Sequence, residues 1–351
     1  MSLIKDVFTP DWLNRLGKAV QAPDFRNVVQ QGDWEELAFK QRVRRIGTTL
    51  ARYVPADFDQ AATRLETIAP DFPGLPGIVF PDYIEVHATM DDWDRALLAL
   101  ERLTRHSTSE FAVRRFLLDD QERFLEVARR WSQADDEHIR RLASEGTRPR
   151  LPWGQMIPSL IADPRPALPI LDRLLQDEAL YVRKSVANHL NDIAKTHPEL
   201  VIKRLERLGT HPHTDWILRH ASRTLLKQGH PDVLKAFGLV TRGTVTVDEL
   251  TVTSTLSIGG ELTFTFTLAT TEPQVLRIEY AIDYVKKRGT SQKVFRISER
   301  QVRDKETFTK RQSFRNLTTR VHYPGTHQLT ILINGEAYAT AAFNVTEGET
   351  E

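Results

Sequence analysis

Trp93-Asp-Arg-Ala-Leu-Leu-Ala-Leu-Glu-Arg-Leu103 places apolar side chains at i, i+3, i+4 and i+7, the spacing that gathers them on one face of an α-helix. The same period recurs up to about Phe237, in segments that Pro and short polar loops cut to helix length. From Thr244 onward the period changes to two. Gly243-Thr-Val-Thr-Val-Asp-Glu-Leu-Thr-Val, Glu261-Leu-Thr-Phe-Thr-Phe-Thr-Leu, Val275-Leu-Arg-Ile-Glu-Tyr-Ala-Ile, Thr326-His-Gln-Leu-Thr-Ile-Leu-Ile and Ala337-Tyr-Ala-Thr-Ala-Ala-Phe each alternate as half-buried strands do. Asn334-Gly335 between the last two is the pair that a type I′ hairpin requires.

Within the helical part an aromatic residue or His is followed three positions on by a base. The instances are Phe111-Ala-Val-Arg114, His138-Ile-Arg-Arg141, Tyr181-Val-Arg-Lys184 and Trp216-Ile-Leu-Arg219, spaced by 27, 43 and 35 residues. Such loose periods suit HEAT-type helical pairs better than ankyrin or tetratricopeptide arrays. The fold expected is an all-α HEAT-like repeat superhelical solenoid over residues 1–240, followed by an all-β immunoglobulin-like sandwich over 243–351. Bases recurring at one position of each repeat predict an electropositive lining.

A chain of 351 residues exceeds one ordinary core, which agrees with two domains. The absence of Cys excludes disulfide scaffolds, thiolate zinc sites and thiol nucleophiles. The N-terminal residues lack the apolar run of a signal peptide and no segment reaches membrane-spanning length, so a cytoplasmic location without membrane partners is expected. Formal net charge is only +1, so any nucleic-acid footprint must arise from charge segregation. Tyr284 to Arg320 carries 12 Lys or Arg against three acids, enough to supply sequence-independent phosphate affinity.

No P-loop, G-x-G-x-x-G, H-E-x-x-H or G-x-S-x-G motif is present, and no cofactor is expected. His211, His213 and His220 lie close in sequence but lack the acids or thiols that would complete a metal set, so no metal ligand is assigned. Chemistry is left to carboxylates and tryptophans of the helical region, in Thr108-Ser-Glu-Phe-Ala-Val-Arg114, Glu145-Gly-Thr-Arg-Pro-Arg-Leu-Pro-Trp153-Gly154 and Tyr181-Val-Arg-Lys-Ser-Val-Ala-Asn-His-Leu-Asn-Asp-Ile193. Ser107-Thr-Ser-Glu110 also reads as a capping box. Glu145 is harder to explain structurally, because it precedes Gly146 at an expected helix C-terminus, where the dipole disfavours an acid.

These three stretches resemble the HEAT-like DNA alkylation repair glycosylases of the AlkC/AlkD type, closer to the AlkC branch, some of whose members carry a C-terminal immunoglobulin-like domain. The resemblance spans the whole chain. It implies a monofunctional, metal-independent enzyme that hydrolyses the N-glycosidic bond of cationic N3-alkylated bases in duplex DNA without base flipping, above all 3-methyladenine, with 3-methylcytosine as a further candidate. A base already positive leaves readily, so the barrier lies in the sugar, whose oxocarbenium character a carboxylate stabilises and whose aromatic neighbours add cation–π contact.

Carried over position by position, the resemblance implies Glu110, Glu145 and Asp192 as the catalytic acids, Trp153 as the lesion and sugar contact, and Trp216 as a second aromatic face. Arg114, Arg148, Arg150, Arg183, Lys184 and Arg219, with Lys286, Lys287 and Arg288 in the sandwich, are expected phosphate ligands. The partner implied is duplex DNA containing alkylated bases, and no obligate protein partner is inferred. The competing reading is a noncatalytic HEAT scaffold binding DNA or protein.

Overall fold

The computed structural model describes residues 3–317 and 320–348. Two compact units divide between Ala221 and Ser222. The change of period therefore lies inside the second unit, whose sequence begins with two short helices, Arg223–Lys227 and Pro231–Ala236, before the strands start. Gly229 and Gly335 explain that grouping: both have positive φ, and a Cβ built on Gly335 would lie 2.5 Å from the Gly229 Cα. Only residues without side chains let this inter-helix turn lie against the last hairpin.

Sixteen α-helices occur among the described residues, the longest Leu180–Ala194. Trp93–Leu103 buries Trp93, Ala96, Leu97, Leu100 and Leu103, the face its periodicity predicts. Side-chain caps start several helices: Asp57 accepts from Gln60 N, Asp120 from Arg123 N and Asp136 from His138 N, which satisfies donors a helix start leaves open. Proline opens others at Pro158, Pro198 and Pro231, where its missing N–H is not needed. Glu137–Gly146, Leu180–Ala194 and Pro212–Ala221 lie side by side, with Leu180–Ala194 in the middle. Ten of its fifteen residues are buried, Asp192 among them. No helix among the described residues is long and apolar enough to cross a membrane.

The sandwich contains β1 (Val245–Val252), β2 (Thr255–Ser257), β3 (Glu261–Thr270), β4 (Gln274–Val285), β5 (Thr290–Val302), β6 (Glu306–Ser313), β7 (Gly325–Ile333) and β8 (Glu336–Thr346). One sheet has the order β1-β3-β6, the other β2-β8-β7-β4-β5. Leu262, Phe264, Phe266, Leu276, Ile278, Ile282, Leu329, Ile331 and Phe343 form the layer between them, so alternating apolar positions close the core without a disulfide. Asn334 and Gly335 both have positive φ, 48° and 82°, as the type I′ turn demands. β5 and β6, not read individually as strands, occupy much of the basic stretch. Arg296, Arg300 and Arg311 are exposed on them.

Candidate active site

Glu110, Glu145 and Asp192 come from three separate segments and lie in one ion-paired row. Glu145 occupies the last turn of Glu137–Gly146. Gly146 permits that helix end to approach the helix Val113–Asp119, since a Cβ there would meet Val113 Cγ2 at 2.7 Å. Glu110 sits on the turn leading into Val113–Asp119. Arg141, one helical turn before Glu145, places its NH2 group 2.8 Å from Glu110 Oε2 and 3.8 Å from Glu145 Oε1. Arg148 donates from NH1 to Glu145 Oε1 at 2.7 Å and from Nε to Asp192 Oδ2 at 2.9 Å, with NH2 2.8 Å from the same oxygen. Acids and guanidiniums thus alternate from Glu110 through Arg141, Glu145 and Arg148 to Asp192, so each nearly dry charge has an opposite neighbour.

The carboxylate oxygens are not equally committed. Asp192 is 2% exposed; its Oδ2 accepts from Arg148 and its Oδ1 from Lys195 Nζ at 3.0 Å. Glu145 Oε1 faces Arg148, and its Oε2 accepts from the Ser185 hydroxyl at 2.5 Å. Glu110 Oε2 accepts from Arg141 and from the Thr108 hydroxyl at 2.7 Å, while Oε1 takes no hydrogen bond among the described residues. Glu110 therefore does not close a capping box with Ser107: the helix begins at Val113 and the carboxylate turns toward Arg141.

Arg141, expected as one of the repeat bases of an electropositive lining, belongs to this cluster instead, together with Ser185 and Tyr181, which are assigned no site role from sequence. The Arg141 guanidinium lies 4.6 Å from the Tyr181 ring centroid. Burial opposes its charge, but Glu110 and Glu145 more than offset that and raise its pKa. Its position four residues before Glu145 is a legible signal; Ser185 and Tyr181 arrive by tertiary packing.

His189 is fully buried beside the row, its Nδ1 3.0 Å from Ser144 O. Burial first, then the Arg148 charge, pushes its pKa down to about 3, so the neutral ring donates Nδ1–H to that carbonyl. Because the folded value lies below the ordinary 6.5, the unfolded chain takes the proton first as pH falls. The associated stability is complete above pH 6.5 and is lost as pH falls toward about 3. His189→Gln is expected to show a shallower fall of thermal midpoint between about pH 7 and about pH 4.5 than the parent; an identical slope contradicts this.

Several expected phosphate ligands point elsewhere. Arg114 is 1% exposed and donates to Gln155 O and Gly146 O; burial, with Arg148 close by, brings its pKa down to about 10. Arg148 is consumed by Glu145 and Asp192. Arg183 donates to the carbonyls of Asp177 and Glu178 at 2.8 and 2.7 Å, fastening the turn before its own helix. The expected electropositive line of repeat bases is therefore not formed, because Arg114 and Arg141 turn into the protein. Lys184 is exposed, and Arg150 and Arg219 are half-buried. Lys287 and Arg288 are exposed at the β4–β5 turn, where Lys286 N donates to Gly289 O at 3.0 Å.

Trp153 is 62% exposed, and Lys40 links its backbone to Phe111, the residue after Glu110. Lys40 Nζ hydrogen-bonds Trp153 O at 2.9 Å and lies 4.6 Å from the Phe111 ring centroid. A cavity of about 120 Å³ is bounded by Phe39, Lys40, Thr108, Phe111 and Gln155 among others. Trp216 stacks on His220 with ring centroids 5.3 Å apart, and no ring contact or hydrogen bond joins it to the acid row among the described residues. The described residues hold no group of three or more His, Cys, Asp or Glu placed to bind a metal.

Comparison with known proteins places this geometry in a family. A family model described as "DNA alkylation repair enzyme" matches residues 81–225, and one described as the C-terminal Ig-like domain of uncharacterised protein YhaZ matches 246–347. An alkylpurine DNA glycosylase, AlkC of Pseudomonas fluorescens, solved bound to DNA containing an abasic site analog, is 39% identical with a TM-score of 0.93, covering 98% of this chain and 100% of its own. The chain belongs to the AlkC family of DNA alkylation repair proteins. The uncharacterized protein YhaZ of Bacillus subtilis (strain 168) is 47% identical, covering 98% of this chain and all of its own length. AlkD2 of Streptococcus mutans, covering 61% of this chain and 97% of its own, is 19% identical with a TM-score of 0.42. The AlkC architecture of helical repeats followed by an immunoglobulin-like domain is what the two units display.

Proposed function

We propose that this AlkC-family chain is a DNA glycosylase that hydrolyses the N-glycosidic bond of cationic N3-alkylated bases in duplex DNA, with 3-methyladenine as principal substrate. The observation that carries the reading is the row Glu110–Arg141–Glu145–Arg148–Asp192, with an exposed Trp153 linked through Lys40 to Phe111, the residue after Glu110, in a chain that matches an alkylpurine DNA glycosylase over nearly its whole length.

An alkylated purine carrying positive charge departs with the glycosidic electron pair as a neutral base. It needs neither protonation nor a Lewis acid, which supports a metal-independent reaction, and with water in place of an amine as the nucleophile the reaction is monofunctional. Positive charge then develops on the sugar, and the uncommitted Oε1 of Glu110 is the oxygen best placed to stabilise it. Water attacks C1′ from the opposite face, its oxygen bonding to that carbon and its proton passing to a carboxylate or to solvent. The saturated ligand set of Asp192 suits it to fixing Arg148 and hence Glu145. The Trp153 face supplies cation–π contact to sugar and lesion, and Trp216 offers a second aromatic face farther along the repeats. Because a charged base on an exposed indole needs no enclosing pocket, excision proceeds without base flipping.

Lys184, Arg150 and Arg219, with the Lys286–Arg288 turn, contact phosphates in this scheme. Replacing Lys286, Lys287 and Arg288 together by Ala is expected to lower the slope of log affinity against log salt concentration by about 1 for each phosphate no longer neutralised. Filter binding to undamaged duplex across a salt series measures it, and an unchanged slope removes the turn from the interface. The reaction itself is tested by chromatography of free bases released from methylated duplex DNA in the presence of a chelator. Release of 3-methyladenine supports the proposal. A folded chain that binds DNA and releases none is a scaffold.

A further inference from the structure

Trp153 joins two properties that seldom coexist. Its side chain is largely in solvent, and its backbone lies at φ +63°, the left-handed region that bulky L-residues rarely occupy. A conformation of that kind persists only where the surroundings over-determine it. The loop closes on itself through Gly154 N to Leu151 O at 3.0 Å and Ile157 N to Pro149 O at 3.1 Å. Those bonds shape the loop without fixing where the indole stands.

Two cations on other helices hold the loop's backbone carbonyls. Lys40, at the start of the helix Phe39–Leu50, donates to Trp153 O at 2.9 Å while its ammonium covers the ring of Phe111, the residue after Glu110. Arg114 donates from Nε to Gln155 O at 2.5 Å and from NH1 to Gly146 O at 3.2 Å, the residue after Glu145. The Phe39 ring lies 6.1 Å from the Trp153 ring. Among the described residues neither Lys40 nor Arg114 forms a salt bridge, so the directed bonds of both serve backbone carbonyls. The loop that displays Trp153 is thereby tied to the segments that carry Glu110 and Glu145.

We propose that Lys40 and Arg114 are positioning residues that clamp the Trp153 loop and hold the indole, in its strained outward pose, at a set distance from Glu110 and Glu145 before DNA arrives. This rests on the reading of Trp153 as the lesion and sugar contact. The clamp replaces the phosphate role expected of Arg114 and gives a function to Lys40, more than a hundred positions away in sequence. It makes the aromatic wall part of the preorganised site rather than a side chain that folds onto the lesion.

The test uses the full chain labelled with fluorotryptophan, in which loss of one resonance in Trp153→Phe assigns that residue among six. Lys40 is exposed, so Lys40→Met spares the core. It is expected to shift or broaden the Trp153 resonance and leave the others in place, with Lys40→Arg restoring it. Single-turnover release of 3-methyladenine from methylated duplex should fall about tenfold in Lys40→Met with DNA affinity kept within about twofold, and recover in Lys40→Arg. In a Trp153→Ala background the same change should alter the rate by less than about twofold. An unmoved Trp153 resonance, or an equal loss of rate in both backgrounds, overturns the clamp. A resonance that responds in a wild type releasing no base supports the clamp and rejects the glycosylase reading alone.

Discussion

Glu110→Gln is expected to lower single-turnover base release by about 10²–10³-fold, the scale on which one preorganised electrostatic contact to a transition state acts. The substitution keeps the shape of the side chain and one oxygen that can accept from Thr108 and Arg141. What disappears is the negative charge, and with it the oxygen left uncommitted toward the sugar. Arg141 retains Glu145 at 3.8 Å and the face of Tyr181, so the variant is expected to fold and to bind undamaged duplex as the wild type does. Quench-flow release from methylated DNA, paired with thermal melting, separates the two effects. A rate within about threefold of wild type would move the charge-stabilising role to Glu145.

Arg148→Met is expected to have the largest effect on stability, a loss of about 3–5 kcal/mol, because removing one member of a buried ion pair leaves its partners charged and dry. Arg148 serves two such partners: Glu145 and Asp192 are 5% and 2% exposed, and each receives at least one hydrogen bond from it. The exposed pair Arg165–Asp163, bonded at 2.7 Å, is the control; Arg165→Met should leave the urea midpoint almost unchanged, because water screens the pair. Adding Glu145→Gln and Asp192→Asn to Arg148→Met should recover part of the lost stability, since the orphaned charges are then gone. Urea titration of the four proteins decides the matter. Equal losses from Arg148→Met and Arg165→Met would show that the row is better hydrated than its burial implies.

Period is the most legible property of this chain. The change from 3.6 to 2 separates helical from strand texture, and Asn334-Gly335 announces a hairpin whose two positive φ angles the structure displays. β5 and β6 are harder to read because much of their surface is charged and solvated, which weakens the apolar alternation on which strand reading depends. The acids of the site can be picked out as candidates, but their partners cannot. A basic residue in sequence carries no sign of whether it faces water or a carboxylate: Arg114 and Arg148 read as phosphate ligands, yet packing turns both inward. Part of this is available locally, since Arg141 and Arg148 stand four residues before and three after Glu145 around one helix end. The Arg148–Asp192 and Lys40–Trp153 contacts join positions 44 and 113 residues apart. Only the packing of repeats creates them.

The most direct test of the central claim, that this carboxylate row recognises a cationic sugar, compares duplexes holding a pyrrolidine, whose ring nitrogen is protonated, with duplexes holding a neutral tetrahydrofuran at the same position. The wild type is expected to bind the cationic duplex at least about tenfold more tightly, and Glu110→Gln to bind the two alike. Equal affinity of the wild type for both would contradict electrostatic stabilisation of the sugar by these acids.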